Sequence, residues 1–299
     1  MAKIKVWIAA ARLRTLPLSI SGILVGSAKA YETGQFQWDL FLLALLTTLG
    51  FQILSNFAND YGDGVKGTDN AERIGPARTL QSGLLSAAEL KMGIIVTALL
   101  TLLSSLATIY VAFGEDQFIL SLIFFLLGLS AILAAIKYTV GRSAYGYRGL
   151  GDFFVFIFFG LVGVVGSYFL YTQRLPLHIF LPATAIGCLS VAVLHLNNMR
   201  DAMSDVRAGK NTLAVMLGPY KAKWYHSGLL FMAFISLLLY ISGLWARLVF
   251  ILLYLPMVFH LMRVWNNEQP ALLDPELKKV ALHTFAIALF FVGYAYFNF

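Results

Sequence analysis

Nine long apolar runs divide the chain, at 15–33, 40–58, 91–113, 117–137, 152–172, 178–198, 224–244, 246–264 and 280–298. A helix needs about 20 residues to cross the hydrocarbon core of a bilayer. Inside hydrocarbon, backbone N–H and C=O groups must be satisfied within the segment, so apolar runs of this length read as spanning helices. The pattern predicts an all-α, polytopic membrane protein with nine transmembrane helices in one bundle. Spans 1–4 and 5–8 can be read as two related halves of this single domain, with span 9 as an addition. Ahead of span 1, basic and apolar residues alternate at helical spacing from Met1 to Arg14. That stretch predicts an interfacial helix rather than a cleaved leader. In span 1, Gly22 and Gly26 have the small-xxx-small spacing that lets two helices approach closely.

Composition narrows the class further. Hydrophobic residues make up 59% of the chain and charged residues 12%, with mean hydropathy +0.77. Soluble domains carry about twice that share of charge, so a soluble monomer or a disordered chain is excluded. The single Cys188 rules out an internal disulfide and reads as a packing residue. The net charge of +7 does not point to nucleic acid, because its distribution is that of a membrane protein. All Lys and Arg except Lys29, Arg174 and Arg247 fall on the side of the N-terminus. The excess marks the cytoplasmic face, with the N-terminus inside and the C-terminus outside. No protein partner is indicated.

Two inner segments are long and dense in polar residues, and each carries spaced acids. One follows span 2, from Ser55 to Arg78, and the other follows span 6, from His195 to Lys210. If the helices continue past the apolar core, Asn56, Asp60 and Asp63 share one face at i, i+4 and i+7, and Asp201 and Asp205 share another. Opposed carboxylate faces repel unless cations intervene. Carboxylate and amide oxygens suit a hard ion such as Mg2+, which takes one or two carboxylates together with substrate phosphates. Lys66, Arg73, Arg78, Arg200, Arg207 and Lys210 are interleaved with the acids. Acids and bases mixed in this way describe a site where metal ions bridge to a phosphate-bearing ligand. A third inner segment, 137–152, is rich in Gly and Tyr. Tyr138, Tyr145 and Tyr147 are either interfacial aromatics or π faces for a cation. The histidines match no metal-ligand spacing, and His195 reads as a satisfied polar residue.

Asn59-Asp60-Tyr-Gly-Asp63 with Asp201-x-x-x-Asp205 resembles the paired Asp-rich motifs of the UbiA-type intramembrane aromatic prenyltransferases. The spacing departs from that pattern at Gly67, with Asp69 standing two residues later. Arg12-Leu-Arg-Thr-Leu-Pro17, Glu72-Arg73-Ile-Gly-Pro-Ala-Arg78, Gly149-Leu-Gly-Asp152 and Asn197-Asn-Met-Arg-Asp201 are most similar to the branch that prenylates 1,4-dihydroxy-2-naphthoate, with Asp152 where Glu is expected. The resemblance implies a helical bundle around a lipid-open cavity with a cytoplasmic cap, in a bacterial inner membrane. It implies transfer from a polyprenyl diphosphate to 1,4-dihydroxy-2-naphthoate with loss of CO2, in menaquinone biosynthesis. On it, Asn56, Asp60, Asp63, Asp201 and Asp205 hold Mg2+, and Lys66, Arg73, Arg200 and Lys210 bind the diphosphate. Tyr138 and Tyr145 shield an allylic cation, and Arg14, Lys137 or Arg142 binds the acceptor carboxylate. 4-Hydroxybenzoate is the competing acceptor. A secondary transporter is the competing class, disfavoured because no carboxylate lies at mid-span.

Overall fold

The computed structural model describes residues 2–69 and 74–297. All regular structure in them is helical. Helix α1 (Ala2–Ala11) is short and breaks at Arg12, whose backbone is left-handed (φ 50°). Helix α2 (Leu16–Glu32) follows after a short 3-10 turn. Three long helices follow, α3 (Trp38–Val65), α4 (Ala87–Phe113) and α5 (Phe118–Lys137). Helices α6 (Gly151–Val155) and α7 (Ser167–Thr172) flank a π-helical stretch, Phe156–Gly166, and with it make one span. Then come α8 (Phe180–Arg207), α9 (Leu213–Tyr240), α10 (Leu244–Asn266) and α11 (Leu273–Phe297). Among the described residues, nine segments are long and apolar enough to span a membrane, so the chain is an integral membrane protein.

The ends of the helices differ from the apolar runs in an informative way. The second and sixth runs stop near residues 58 and 198, yet α3 continues to Val65 and α8 to Arg207. The acids therefore sit on the last turns of rigid helices rather than in loops. Span 7 begins earlier than its apolar run, because a kink at Gly218-Pro219 joins a short apolar turn, residues 213–217, to the polar start of the spanning helix. Pro219 cannot donate a backbone hydrogen bond, and Gly218 supplies the positive φ of 73°.

Exposure follows the lipid-facing pattern. Leu99, Leu103, Phe118, Leu126, Leu252 and Phe259 point outward, while α8 is the most enclosed span. The Gly22/Gly26 spacing does what it predicts. A Cβ on Gly22 would lie 2.8 Å from Phe159 O, and one on Gly26 only 2.5 Å from Val164 O, so α2 packs backbone to backbone on the Phe156–Gly166 stretch. Cys188 is buried in the main core. Helix α1 lies across the ends of α3 and α4, with Trp7 edge-on to Phe57 at 5.3 Å and Lys3 paired with Glu89 at 2.8 Å.

Candidate active site

The ends of α3 and α8 meet at one end of the bundle. Each helix terminates in a left-handed glycine, Gly67 (φ 73°) and Gly209 (φ 68°). After Gly209 the chain folds back, and Lys210 N–H donates to Asp205 O at 2.8 Å. This places the Lys210 ammonium between the ends of α3 and α8, 3.8 Å from Asp63 Oδ2 and 3.6 Å from Asp205 Oδ1. Asp205 Oδ2 is buried and has no hydrogen-bond partner. Burial alone would lower the pKa of Lys210, but Asp63 and then Asp205 more than offset it and hold the ammonium above the ordinary lysine range.

Tyr147 organises the centre of the cluster. Its hydroxyl donates to Asp63 Oδ1 at 2.7 Å, so the Thr68 hydroxyl, 2.6 Å away, donates to Tyr147 in turn. Lys66 stands 3.8 Å from the centroid of the Tyr147 ring, and Lys210 5.5 Å from it. Burial depresses the Lys66 ammonium, partly countered by Asp63 and reinforced by Lys210. Burial also raises the pKa of Tyr147, Tyr138 and Tyr145, so all three are neutral phenols. The 138–150 segment is tied down on both sides. Thr139 Oγ1 donates to Ala58 O at 2.9 Å, and Asn211 N–H donates to Tyr147 O at 3.2 Å.

The remaining expected residues divide into groups. Asp60 accepts from Thr79 N (3.0 Å), Thr79 Oγ1 (2.5 Å) and Leu80 N (3.2 Å), so it anchors the loop that returns to α4. Three of its roughly four lone-pair directions are used. Asn56 Nδ2 donates to Ala11 O at 2.8 Å and clamps the corner between α1 and α2, while its Oδ1 accepts from Gln52. Asp201 is held by Arg200 through Nε (2.8 Å) and Nη2 (2.7 Å). Arg200, expected on the diphosphate, is almost fully buried and also donates to Asn197 and Asp274. It acts as a clasp between α8 and α11, because a buried guanidinium far from water needs acceptors on all sides. Tyr138 and Tyr145 meet edge-on at 5.4 Å, and Tyr145 continues into Phe154 at 4.2 Å, forming an aromatic wall. Arg14, Lys137 and Arg142 are exposed and stand outside the cluster. Arg73 lies outside the described residues. Asp69 is buried and pairs with Arg78 at 3.5 Å.

The π-face reading of Tyr147 matches the position of Lys66 over its ring, but the sequence did not indicate its hydroxyl bond to Asp63 and did not select Thr68 or Thr79. No spacing rule announces them, since each is recruited by a partner on another helix. A cavity of about 310 Å3 lies at the opposite end around Lys29, Glu32, His178 and Tyr240. Its Lys29–Glu32 pair is satisfied within itself, and it lacks the converging acids. A smaller, mainly apolar cavity of about 100 Å3 is lined by Ile23, Phe51, Thr108, Phe124 and Val162. Phe51 lies about 13 Å along α3 from Asp60, at 1.5 Å per residue.

Among the described residues no three acidic or metal-ligating side chains converge on one point. The donor set still fits a hard divalent ion. Asp63 and Asp205 already share a cation, and the buried Asp205 Oδ2 lacks a partner. An ion taking one carboxylate from each half would draw its other ligands from water and phosphate, the usual habit of Mg2+.

Residues 19–285 match the UbiA prenyltransferase family. The chain is 44% identical over 294 residues to the 1,4-dihydroxy-2-naphthoate octaprenyltransferase of Haemophilus influenzae, covering 97% of this chain and 95% of that protein. It is 41% identical over 297 residues to the Escherichia coli enzyme of the same name, covering 98% and 95%. Its fold resembles the apo structure of a UbiA homolog from Aeropyrum pernix, with a TM-score of 0.68 at 16% identity over 96% of this chain and 98% of that one. It also resembles a UbiA homolog from Archaeoglobus fulgidus bound to DMAPP and Mg2+, with a TM-score of 0.60 at 18% identity over 94% and 98%. With acids and bases of two separate helices meeting at one end of a nine-span bundle, the chain belongs to the UbiA prenyltransferase family.

Proposed function

We propose that the chain transfers a polyprenyl group from an allylic diphosphate to 1,4-dihydroxy-2-naphthoate, with loss of CO2, giving demethylmenaquinol, the hydroquinone form of demethylmenaquinone. The observation that carries the reading is the convergence of Asp63, Asp205, Lys210, Lys66 and Tyr147 at the polar end of an apolar bundle. The near full-length likeness to two 1,4-dihydroxy-2-naphthoate octaprenyltransferases supplies the acceptor. We place this end at the cytoplasmic face on the distribution of Lys and Arg.

A prenyl tail dissolves in lipid and a diphosphate does not, so the bond to be broken belongs at the interface. Asp63 and Asp205 would hold Mg2+, while Asp60, Asp201 and Asn56 fix the helix ends that carry them. Bound there, Mg2+ would supply Lewis-acid neutralisation of the diphosphate. Lys66 and Lys210 add fixed positive charge where the leaving group becomes more negative. Preorganised charge in a water-poor site does most for the step that develops charge. The neutral faces of Tyr138 and Tyr145 exclude water from the allylic carbon, which water would otherwise convert to an alcohol. The apolar cavity near Phe51 takes the part of the tail nearest the site.

The test uses the purified full chain with Mg2+, geranyl diphosphate, and either 1,4-dihydroxy-2-naphthoate or 4-hydroxybenzoate. Preferred prenylation of the naphthoate is expected. Asp63→Asn and Asp205→Asn should each lower turnover at least 100-fold and diminish the thermal stabilisation that Mg2+ gives. Preferred use of 4-hydroxybenzoate would overturn the acceptor. Full activity and an unchanged Mg2+ response in both variants would overturn the metal site.

A further inference from the structure

One buried acid and one buried histidine beside the cluster have no part in holding the diphosphate. Asp152, at the start of α6, directs Oδ2 toward Nδ1 of His195 on α8, 3.5 Å away. Both residues are buried, and neither atom has a hydrogen-bond partner. The tautomer of His195 follows from its other nitrogen. Nε2 lies 3.2 Å from Ala222 O, and a carbonyl only accepts, so Nε2 carries the proton. Nδ1 then presents a lone pair to a carboxylate. Two acceptors facing each other in a buried site have room for one shared proton, and gaining it would convert a repulsion into a charge-assisted hydrogen bond.

No neighbour places a proton between Asp152 Oδ2 and His195 Nδ1. From α9, Tyr225 meets the His195 ring edge-on at 4.7 Å, its hydroxyl reaching Asp152, and His226 stacks at 6.3 Å. His260 on α10 donates from Nδ1 to Glu276 on α11 at 2.7 Å, so its Nε2 accepts from His226 Nε2 at 2.8 Å. This fixed polarity leaves only a lone pair on His226 Nδ1. Glu276 is further held by Arg263 and Lys279. Arg200, lower on α8, is committed to Asp201 and Asp274. Tyr138 is the group that links the pair to the cluster, because it lies within the electrostatic reach of Asp152, Asp63 and Asp205 alike. A Cβ on Gly151 would stand 3.2 Å from the Tyr138 hydroxyl. Along α8, His195 is about 9 Å deeper than Asp201, at 1.5 Å per residue. That depth matches a bicyclic aromatic seated beneath a diphosphate.

We propose that Asp152 is a catalytic residue that takes the hydroxyl proton of the aromatic acceptor, and that His195 is its positioning residue. The inference rests on the acceptor reading above. The acceptor O–H bond breaks and its proton moves to Asp152, shared with His195 Nδ1. The O–H electron pair enters the ring, and the ring carbon bearing the carboxylate forms the new bond to the allylic carbon. The allylic C–O bond breaks, and its electron pair leaves with the diphosphate. Loss of CO2 returns the electron pair of the C–C bond to the ring, and the dyad returns the proton to the oxygen. The proton is borrowed and restored, so no outside acid or base is consumed.

The experiment compares the full chain with Asp152→Asn, Asp152→Glu and His195→Gln, using Mg2+, geranyl diphosphate and 1,4-dihydroxy-2-naphthoate from pH 6 to 10. Binding of geranyl diphosphate is measured in parallel and should be unchanged, which also reports that the variants are folded. Asp152→Asn should lower kcat about 100-fold, within the usual range for general acid–base groups. Its rate should then climb about tenfold per pH unit as the acceptor hydroxyl ionises unaided, where the wild type is level. Asp152→Glu should restore most of the rate, and His195→Gln should displace the acid limb of the wild-type profile. Wild-type kcat with an unchanged pH profile in Asp152→Asn would overturn the inference. So would a loss that is uniform across pH and not restored by Glu. If the wild type binds geranyl diphosphate yet prenylates no hydroxyaromatic, the acceptor reading falls, and the inference falls with it.

Discussion

Replacing Lys210 with Met removes the cation that stands between Asp63 and Asp205 while keeping the aliphatic stem. The ammonium is 3.8 and 3.6 Å from the two carboxylates, and the side chain is only 9% exposed, so solvent screens little of the interaction. Breaking a buried ion pair by removing one partner costs about 3–5 kcal/mol, because the remaining charges are left uncompensated. For a chain of this size the loss corresponds to about 5–10 °C in Tm. Differential scanning fluorimetry in detergent, with Mg2+ chelated, reads it directly. The pH dependence has a definite sign. The pKa of Lys210 is raised in the folded state, so its stabilisation is complete below the ordinary lysine pKa and declines only as pH rises above it. The deficit of Lys210→Met should therefore be constant from pH 6 to 9. Adding Mg2+ should recover more Tm in the variant than in the wild type, since a divalent cation can replace the ammonium. Lys210→Met with Asp205→Asn should be less damaged than Lys210→Met alone. A variant within 1 °C of wild type, or equal Mg2+ stabilisation of both proteins, would refute the account.

Lys66→Arg should keep affinity for geranyl diphosphate level to higher pH. Burial lowers the pKa of Lys66, so the lysine loses its charge as pH rises where an arginine does not, and titration of Kd from pH 7 to 11 compares the two. Gly26→Val should lower Tm by several degrees, because its Cβ alone would come within 2.5 Å of backbone Val164 O, whereas Gly228→Ala, with nothing within 4 Å, should leave Tm level or slightly higher. Tyr147→Phe should weaken diphosphate binding by severalfold through the loss of the 2.7 Å bond that orients Asp63, with Mg2+-dependent affinity as the readout.

The spans and the polar end of the bundle are readable along the chain because hydropathy and helical spacing are local properties. Twenty apolar residues need no knowledge of their neighbours to prefer lipid, and Asp60 and Asp63, or Asp201 and Asp205, share a face through the helical repeat alone. The positions of Gly22 and Gly26 announce close packing in the same way, since the missing side chains are themselves the signal. The extension of α3 and α8 beyond the apolar runs is less visible. Their last turns are polar, and they remain helical where α3 is tied to Thr79, Leu80 and Thr139 and α8 to Asp274, and they end at Gly67 and Gly209.

Which charges stay available for chemistry depends on partners far away in sequence. Arg200 looks like a phosphate ligand until Asp274, 74 residues on, is found beside it. Asp60 looks equivalent to Asp63 until the chain returns at Thr79 to occupy its oxygens. Tyr147 gains its place only because Asp63, Thr68, Lys66 and Lys210 surround it. The lone pairs of Asp152 and His195 are likewise brought face to face by the packing of α6 on α8. A buried ionisable group takes its character from the few atoms within 4 Å, and in a helical membrane bundle most of those atoms come from other helices.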